Sequence, residues 1–285
     1  MSHVQVSTEQ LVGEVRLARG KVNALNEEMV EELAECFRRL ARDPDVRSIV
    51  LTGTGKFFSF GFDIPAFLGH TREAFLAYLR KFASLYRDLF ACPKPVVAAL
   101  NGHAVAGGCM LVLACDARLM AAGKGKVGLN EVAFGSSVFA GSVEMLRYCV
   151  GDRNAERIAS SGSMYLPGEA LALGLVDRVV PEADLLAAAR ELAQLHGAKE
   201  PAAFRSVKAL LRGPALEEMA RREEASPSRV RGHLVLGAHA GEPAEDRDPP
   251  LKVQAFRRTG TEVRARWERR RASARCQRGL LPSSS

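Results

Sequence analysis

The stretch KPVVAALNGHAVAGGCMLVLACDARL, Lys94 to Leu119, carries three signals in direct succession. "PVVAALNG" (95–102) is short, apolar and bounded by proline and an Asn-Gly pair, the pattern of a buried strand. "HAVAGGCMLVLACD" reads as an apolar helix entered through glycines, and "ARLMAA" as the next strand. Strand and helix alternate on both sides of this stretch as well. The whole predicts an α/β fold in which helices cover sheets.

Upstream, "VQVSTEQLVGEVRLA" alternates as two short strands or a hairpin, and 47–53 is a buried-strand pattern. Between them Leu25, Met29, Val30, Leu33, Phe37 and Leu40 fall on one helical face, with Glu27 and Glu28 near its start and Arg38 and Arg39 near its end, as the helix dipole prefers. A second amphipathic helix runs from Thr71 to Phe90 through Phe75, Leu79, Phe82, Tyr86 and Leu89, and the prolines of "CPKP" stop it. Downstream, helices are predicted around 141–149, 153–161 and 167–174, a strand at "LVDRVV", and helices near 183–196, 201–212 and 215–225. No internal repeat at a fixed residue period is evident.

With 285 residues, 47% of them hydrophobic, the chain can bury a substantial core. No apolar run approaches the roughly 20 residues that cross a bilayer, and the N-terminus has neither a signal core nor an Arg-rich presequence, so a cytoplasmic protein is expected. Cys36, Cys92, Cys109, Cys115, Cys149 and Cys276 lack C-x-x-C spacing or paired histidines, which argues for incidental thiols rather than a zinc or redox site. In the last 60 residues twelve Arg and one Lys stand against six acidic residues, so the whole net charge of +7 lies there.

Three elements could do chemistry: "FFSFGFDI" (57–64), "HAVAGGCM" (103–110) and "VGLNE" (127–131). Each of the first two sets a glycine beside an apolar segment, freeing main-chain N–H groups for a ligand, although a glycine there is more often a turn or helix entry. The "AGG" pair opens a helix whose first amides are unsatisfied, and two such amides converging would form an oxyanion hole. Glu131 has two readings. A glutamate at a strand end is ordinarily solvated; against that, Val127, Leu129, Val132 and Phe134 would wall the carboxylate and raise its pKa toward that of a useful proton acceptor.

Together, in order and spacing, these elements resemble the crotonase superfamily, the enoyl-CoA hydratase/isomerase family, from about Val4 to Ala225. "KVNALNEEMVEEL" is similar to its first loop and helix, "FFSFGFDI" to its first oxyanion and CoA loop, the stretch 94–119 to its most specific signature, and "EALALGLVDRVVP" to the segment after the active site. The resemblance implies a spiral of ββα units over residues 1–185, C-terminal helices over 186–225, and trimers or hexamers. It implies an acyl-CoA thioester whose enolate oxygen is held by the N–H groups of Phe62 and Gly107. Ala24, in the Lys21 to Leu25 loop, with Phe60, Gly61, Asp63, Ile64 and Met110, would contact the substrate, and no metal or cofactor beyond the substrate's own CoA is called for. Hydratases of the family carry a second glutamate directly after the GGC element, where this chain has Met110, and their "PGAGGTQRL"-like run is replaced by "SSVFAGSVEML" (136–146). The remaining glutamate stands in "GLNE", as in the mitochondrial type of 3,2-enoyl-CoA isomerase. The resemblance thus implies that Glu131 is the sole base and acid.

Phe60 stands where the family usually has a small residue, Phe62 is also bulky, and the two would shorten or reshape the acyl pocket. His70 and His103 lack a partner carboxylate at motif spacing and are read as structural or solvent-facing, and Asp116 is expected to satisfy local main-chain groups. Residues 226–285 form an atypical Arg/Gly/Pro-rich tail, expected to be without packed structure and explicable as a basic extension or as a GC-rich gene read out of frame. Two rival functions follow: another thioester-enolate enzyme of the superfamily such as a hydratase, or a non-catalytic binder of CoA thioesters or, through the tail, of RNA. Phe256 and Trp267 alone could stack on bases there, which argues against sequence-specific RNA binding.

Overall fold

The structure, a computed structural model, describes residues 2–225. The expectations for the tail lie outside the described residues.

The chain opens with a hairpin, β1 (Val4–Glu9) and β2 (Val12–Leu17), antiparallel and closed through Gln10 and Leu11, both at positive φ as a type I′ turn demands. Helix α1 (Glu27–Arg42) follows, its first turn capped by the Asn26 side chain accepting from Met29 N–H at 3.1 Å. From there strands alternate between two sheets. β3 (Ser48–Gly53), β5 (Val96–Leu100), β7 (Ala117–Ala121) and β9 (Arg178–Val180) extend the hairpin into a six-stranded sheet of order β1-β2-β3-β5-β7-β9, parallel beyond β2. β4 (Phe57–Ser59), β6 (His103–Val105) and β8 (Val127–Gly128) form a separate parallel sheet of order β4-β6-β8.

Each turn of the chain thus places one strand in each sheet and then a helical segment. The first turn ends in α2 (Ile64–Phe67) and α3 (Arg72–Phe90), the second in α4 (Gly107–Ala114), and the third in a short 3-10 turn (Glu131–Phe134), α5 (Ala140–Ser161) and α6 (Pro167–Leu173). This is the expected ββα spiral, and its unequal helices, from a few residues to twenty-two, explain why no fixed residue period is readable. Helix α7 (Leu185–Gly197) covers the back of the large sheet with Leu185, Ala189 and Ala193 against Val50, Val97, Ala99 and Leu119, while the larger core fills the other face. Strands β3 and β5 are accordingly buried along their whole length, as parallel strands covered on both faces must be.

Three boundaries differ from the sequence reading. His103–Val105 is a strand rather than helix, because Ala104 and Val105 pair with Val127 and Gly128, and the helix starts only at Gly107. The pair 141–149 and 153–161 is a single run interrupted at Gly151, whose φ of 74° and ψ of 163° are not helical. Helices 201–212 and 215–225 are one helix, α8 (Pro201–Ala225), which passes through Pro214; buried Lys208 and Arg212 before the proline and buried Met219 after it hold both halves to the core. Proline removes one hydrogen bond from a helix, and tertiary anchoring on each side outweighs that loss here.

Among the described residues, no helix is long and apolar enough to cross a membrane, no group of three potential metal ligands occurs, and Cys36, Cys92, Cys109, Cys115 and Cys149 are free thiols.

Candidate functional site

The three motifs meet because each follows the C-terminal end of one strand of the small parallel sheet. Phe60 to Asp63 leave β4, Ala106 and Gly107 leave β6, and Leu129 to Glu131 leave β8, with β6 between the other two. Loops at that edge of a parallel sheet converge on a common crevice. Val127 also exchanges main-chain hydrogen bonds of 3.0 Å with Tyr165, which fixes the outer edge of β8.

Gly107 is the first residue of α4, so its N–H has no acceptor within the helix. The residue before it, Ala106, holds φ 49° and ψ −116°, a strained conformation for an L-residue that turns the chain sharply from β6 into α4. Met110 N–H closes the first helical turn on Ala106 O at 3.0 Å. Phe62 is bridged to Leu25 in parallel fashion: Leu25 N–H donates to Gly61 O at 2.7 Å and Asp63 N–H to Leu25 O at 3.1 Å. A parallel bridge uses the two residues flanking its partner, so Phe62's own N–H faces the opposite edge. Among the described residues neither the Phe62 nor the Gly107 N–H has a protein acceptor. The loops touch at this point: a Cβ on Gly61 (φ 87°) would stand 2.8 Å from Val105 O and 3.2 Å from Gly107 N, an approach only glycine permits.

Glu131 begins the 3-10 turn and is 5% exposed. Its Oε2 is buried without a hydrogen-bond partner, and burial pushes the carboxyl from an ordinary 4.5 up to about 7, its own main-chain N–H pulling slightly the other way. Of the residues expected to wall it, Leu129 and Val127 are fully buried, whereas Val132 and Phe134 are 49% and 51% exposed. In a 3-10 turn of four residues only one side faces the core, and Glu131 occupies it.

Behind the Gly107 amide lies a cluster of rings. A Cβ on Gly107 would meet the Phe62 ring at 3.0 Å, and that ring makes edge contacts with Phe82 (4.8 Å between centroids), Tyr78 (5.2 Å) and Phe139 (6.1 Å). Tyr86 closes the cluster against Phe82 and Phe139, and its hydroxyl donates to Glu223 of α8, whose carboxyl is raised by burial. Met110 is buried in α4, and Ala24 is buried beside the Leu25 bridge. Phe60 is 37% exposed and stacks edge-on to Phe57, while Ile64 N–H turns back onto Phe62 O at 3.0 Å. The Asp63 carboxylate is taken up by Arg19 at 2.6 Å. His103 lies against Phe57, its pKa lowered by burial and by Lys126, and His70 against Phe67.

Sequence reading missed the supports of these loops. Asn23, fully buried at φ 49°, donates to Phe57 O and Thr54 O and accepts from Arg19 N–H; Ser59 Oγ donates to Asn23 O and accepts from Gly61 N–H; Tyr78 Oη donates to Leu25 O at 2.9 Å. The one available signal was local: Arg19 and Asn23 are polar residues in the short loop that follows the buried strand β2.

Known proteins resemble this chain in sequence and in fold. The family model described as Enoyl-CoA hydratase/isomerase matches residues 7–230. The human mitochondrial Delta(3,5)-Delta(2,4)-dienoyl-CoA isomerase is 34% identical over 216 residues, 71% of this chain and 66% of that one, so the chain spans slightly under two thirds of that relative. A probable enoyl-CoA hydratase of Bacillus subtilis is 35% identical over 262 residues, covering 90% of this chain and 96% of the relative. The crystal structure of human mitochondrial delta3-delta2-enoyl-CoA isomerase superposes with a TM-score of 0.75 at 29% identity, over 78% of this chain and 88% of that one. With the ββα spiral and three motif loops on one sheet edge, these matches identify the chain as a member of the enoyl-CoA hydratase/isomerase family, the crotonase superfamily.

Proposed function

We propose that this protein isomerises 3-enoyl-CoA to 2-trans-enoyl-CoA, with Glu131 as the single base and acid and the amides of Phe62 and Gly107 as the oxyanion hole. The observation that carries this reading is the state of Glu131: buried, with an unpaired Oε2 and a pKa lifted to about 7, while Met110 stands where a second carboxylate would serve a hydratase. The thioester carbonyl oxygen accepts from both amides. Glu131 removes a proton from the α-carbon, the dienolate charge is held at the oxygen, and the same carboxyl returns the proton to the γ-carbon on the same face. Losing one oxyanion donor typically costs about 3 kcal/mol of transition-state stabilisation, so amide placement weighs as much as the base. The route uses the CoA that the substrate brings and asks for no metal or further cofactor. Assembly into trimers or hexamers belongs to the same proposal.

The second reading is an enoyl-CoA hydratase, favoured by the name and long coverage of the Bacillus subtilis relative. Hydration needs a group to hold and deprotonate water while the α-carbon is protonated, and a thioether at Met110 can do neither. The deciding experiment follows the ultraviolet absorbance of the conjugated thioester when the full chain meets a 3-enoyl-CoA, with Glu131→Gln alongside. A rise lost in the variant supports isomerisation; loss of absorbance from a 2-enoyl-CoA in water, with no rise from the 3-enoyl substrate, selects hydration. Wild-type rates from Glu131→Gln would remove Glu131 from the mechanism.

A further inference from the structure

The Phe62 amide is aimed by its neighbours rather than by its own hydrogen bonds. Its direction depends on the bridge to Leu25, in which Leu25 holds Gly61 O and Asp63 N–H and thereby turns Phe62 N–H to the other side. That bridge is two hydrogen bonds long, held at its near end by Phe60 N–H donating to Val22 O at 2.9 Å and at Leu25 by Tyr78 Oη. Arg19 fastens its far end, beyond Phe62. Its Nη2 lies 2.6 Å from Asp63 Oδ2, and its Nη1 donates to Ala24 O at 3.0 Å. One planar guanidinium therefore grips the residue before Leu25 on one strand and the residue after Phe62 on the other. The pair is mostly shielded, the Arg19 side chain 23% and the Asp63 side chain 17% exposed. Asn23 Oδ1 accepts from Arg19 N–H at 3.0 Å and fixes the origin of the side chain.

We propose that Arg19 is a positioning residue for the oxyanion hole: through Asp63 and Ala24 it clamps the Leu25–Phe62 bridge and so holds the Phe62 N–H toward the thioester oxygen. This rests on the oxyanion reading of Phe62 and Gly107 given above. It gives Asp63 a part different from substrate contact, since its carboxylate is occupied by the guanidinium. The clamp acts on charge developing at oxygen. It bears on the dienolate more than on the neutral ground state, and its loss lowers kcat more than it raises KM.

The test uses acetoacetyl-CoA, whose enolate absorbs in the ultraviolet and whose ionisation an oxyanion hole favours. Wild type should lower the pH at which the bound ligand ionises. Arg19→Met and Asp63→Asn should each move that pH back toward the value in free solution while butyryl-CoA, a saturated thioester, binds as before. Their kcat should fall by roughly 10- to 100-fold, the scale set by misplacing a group by about 1 Å. Arg19→Lys keeps the charge but not the fork, and should recover part of the ionisation shift; it also reports should the methionine variant fail to fold. If folded Arg19→Lys, Arg19→Met and Asp63→Asn all ionise the bound ligand as wild type does, the positioning role is wrong and the oxyanion reading stands. If wild type itself leaves the ionisation unchanged, the oxyanion reading fails and this inference falls with it.

Discussion

Asp116 and Lys208 meet at 2.7 Å although they stand 92 residues apart, one at the end of α4 and the other on α8. The same carboxylate pairs with Arg212 at 3.0 Å and accepts from Val96 N–H at 2.8 Å, so the local main-chain role foreseen for Asp116 is one part of a larger one. Arg212 in turn donates to Phe90 O, Ala114 O and Cys115 O, capping α3 and α4, and lies over the Phe90 ring. All three charged groups are nearly inaccessible to solvent.

Replacing Asp116 by Ala would leave two buried cations without their counter-ion. Breaking one side of a buried pair costs about 3–5 kcal/mol. Denaturant unfolding of Asp116→Ala should show a loss of that order, with α8 the first element to lose amide protection in hydrogen exchange. A loss below about 1 kcal/mol, the scale of an exposed pair, would show that solvent reaches this network.

Glu131 links activity to pH. As the proposed base it must be ionised, so kcat/KM should rise with pH through an inflection near 7. Its folded pKa exceeds the ordinary 4.5, so the native state holds a proton that the unfolded chain has released between those values. Its contribution to stability is present below pH 4.5 and is lost as pH rises through 7. Glu131→Gln removes that dependence. Relative to wild type, the variant should gain about 2–3 kcal/mol between pH 4.5 and pH 8, as read by denaturant titrations at both pH values.

Ala106 carries backbone strain of about 1–3 kcal/mol for its positive φ, and glycine would relieve it at an entropic cost of up to about 1 kcal/mol. Ala106→Gly should therefore raise stability slightly, by about 1 kcal/mol, while lowering kcat because the amide it presents at Gly107 is less firmly aimed. A fall in thermal midpoint would mean that the Ala106 methyl, which faces Gly61, packs for more than the strain costs.

Phe62 contributes its amide to the proposed hole and its ring to the cluster with Tyr78, Phe82 and Phe139. Phe62→Ala keeps the amide and removes the ring. Stability should fall by about 3 kcal/mol, the lower end for Phe→Ala because the ring is only partly buried. If the ring limits the acyl group, longer 3-enoyl-CoA substrates should gain in kcat/KM relative to short ones; an unchanged ratio would place the acyl group elsewhere.

The helices and the large sheet were readable because their signals are local: the apolar face of α1, the prolines after α3, the continuous apolar runs of β3 and β5. The small sheet was not, because its strands are two or three residues long, too short to show a period of two. The three motifs could be named one by one, yet their meeting depends on that sheet, and a resemblance to a family supplied it. Arg19 and Asp63, or Asp116 and Lys208, are charges whose partners lie far along the chain, and nothing within one sequence says which cation meets which carboxylate.

The alternation of strands between two sheets also sets an order in time. During synthesis the loop bearing Phe62 emerges first, then Gly107, and the strand bearing Glu131 has its outer neighbour only once Tyr165 has been made. Helix α8, which ties off α3 and α4 through Arg212, arrives later still. A ribosome halted before residue 165 would therefore carry all three motif loops in sequence while β8, paired with β6 alone, lacked its outer edge, so amide protection of Val127 in a nascent chain would report the moment the third turn of the spiral closes.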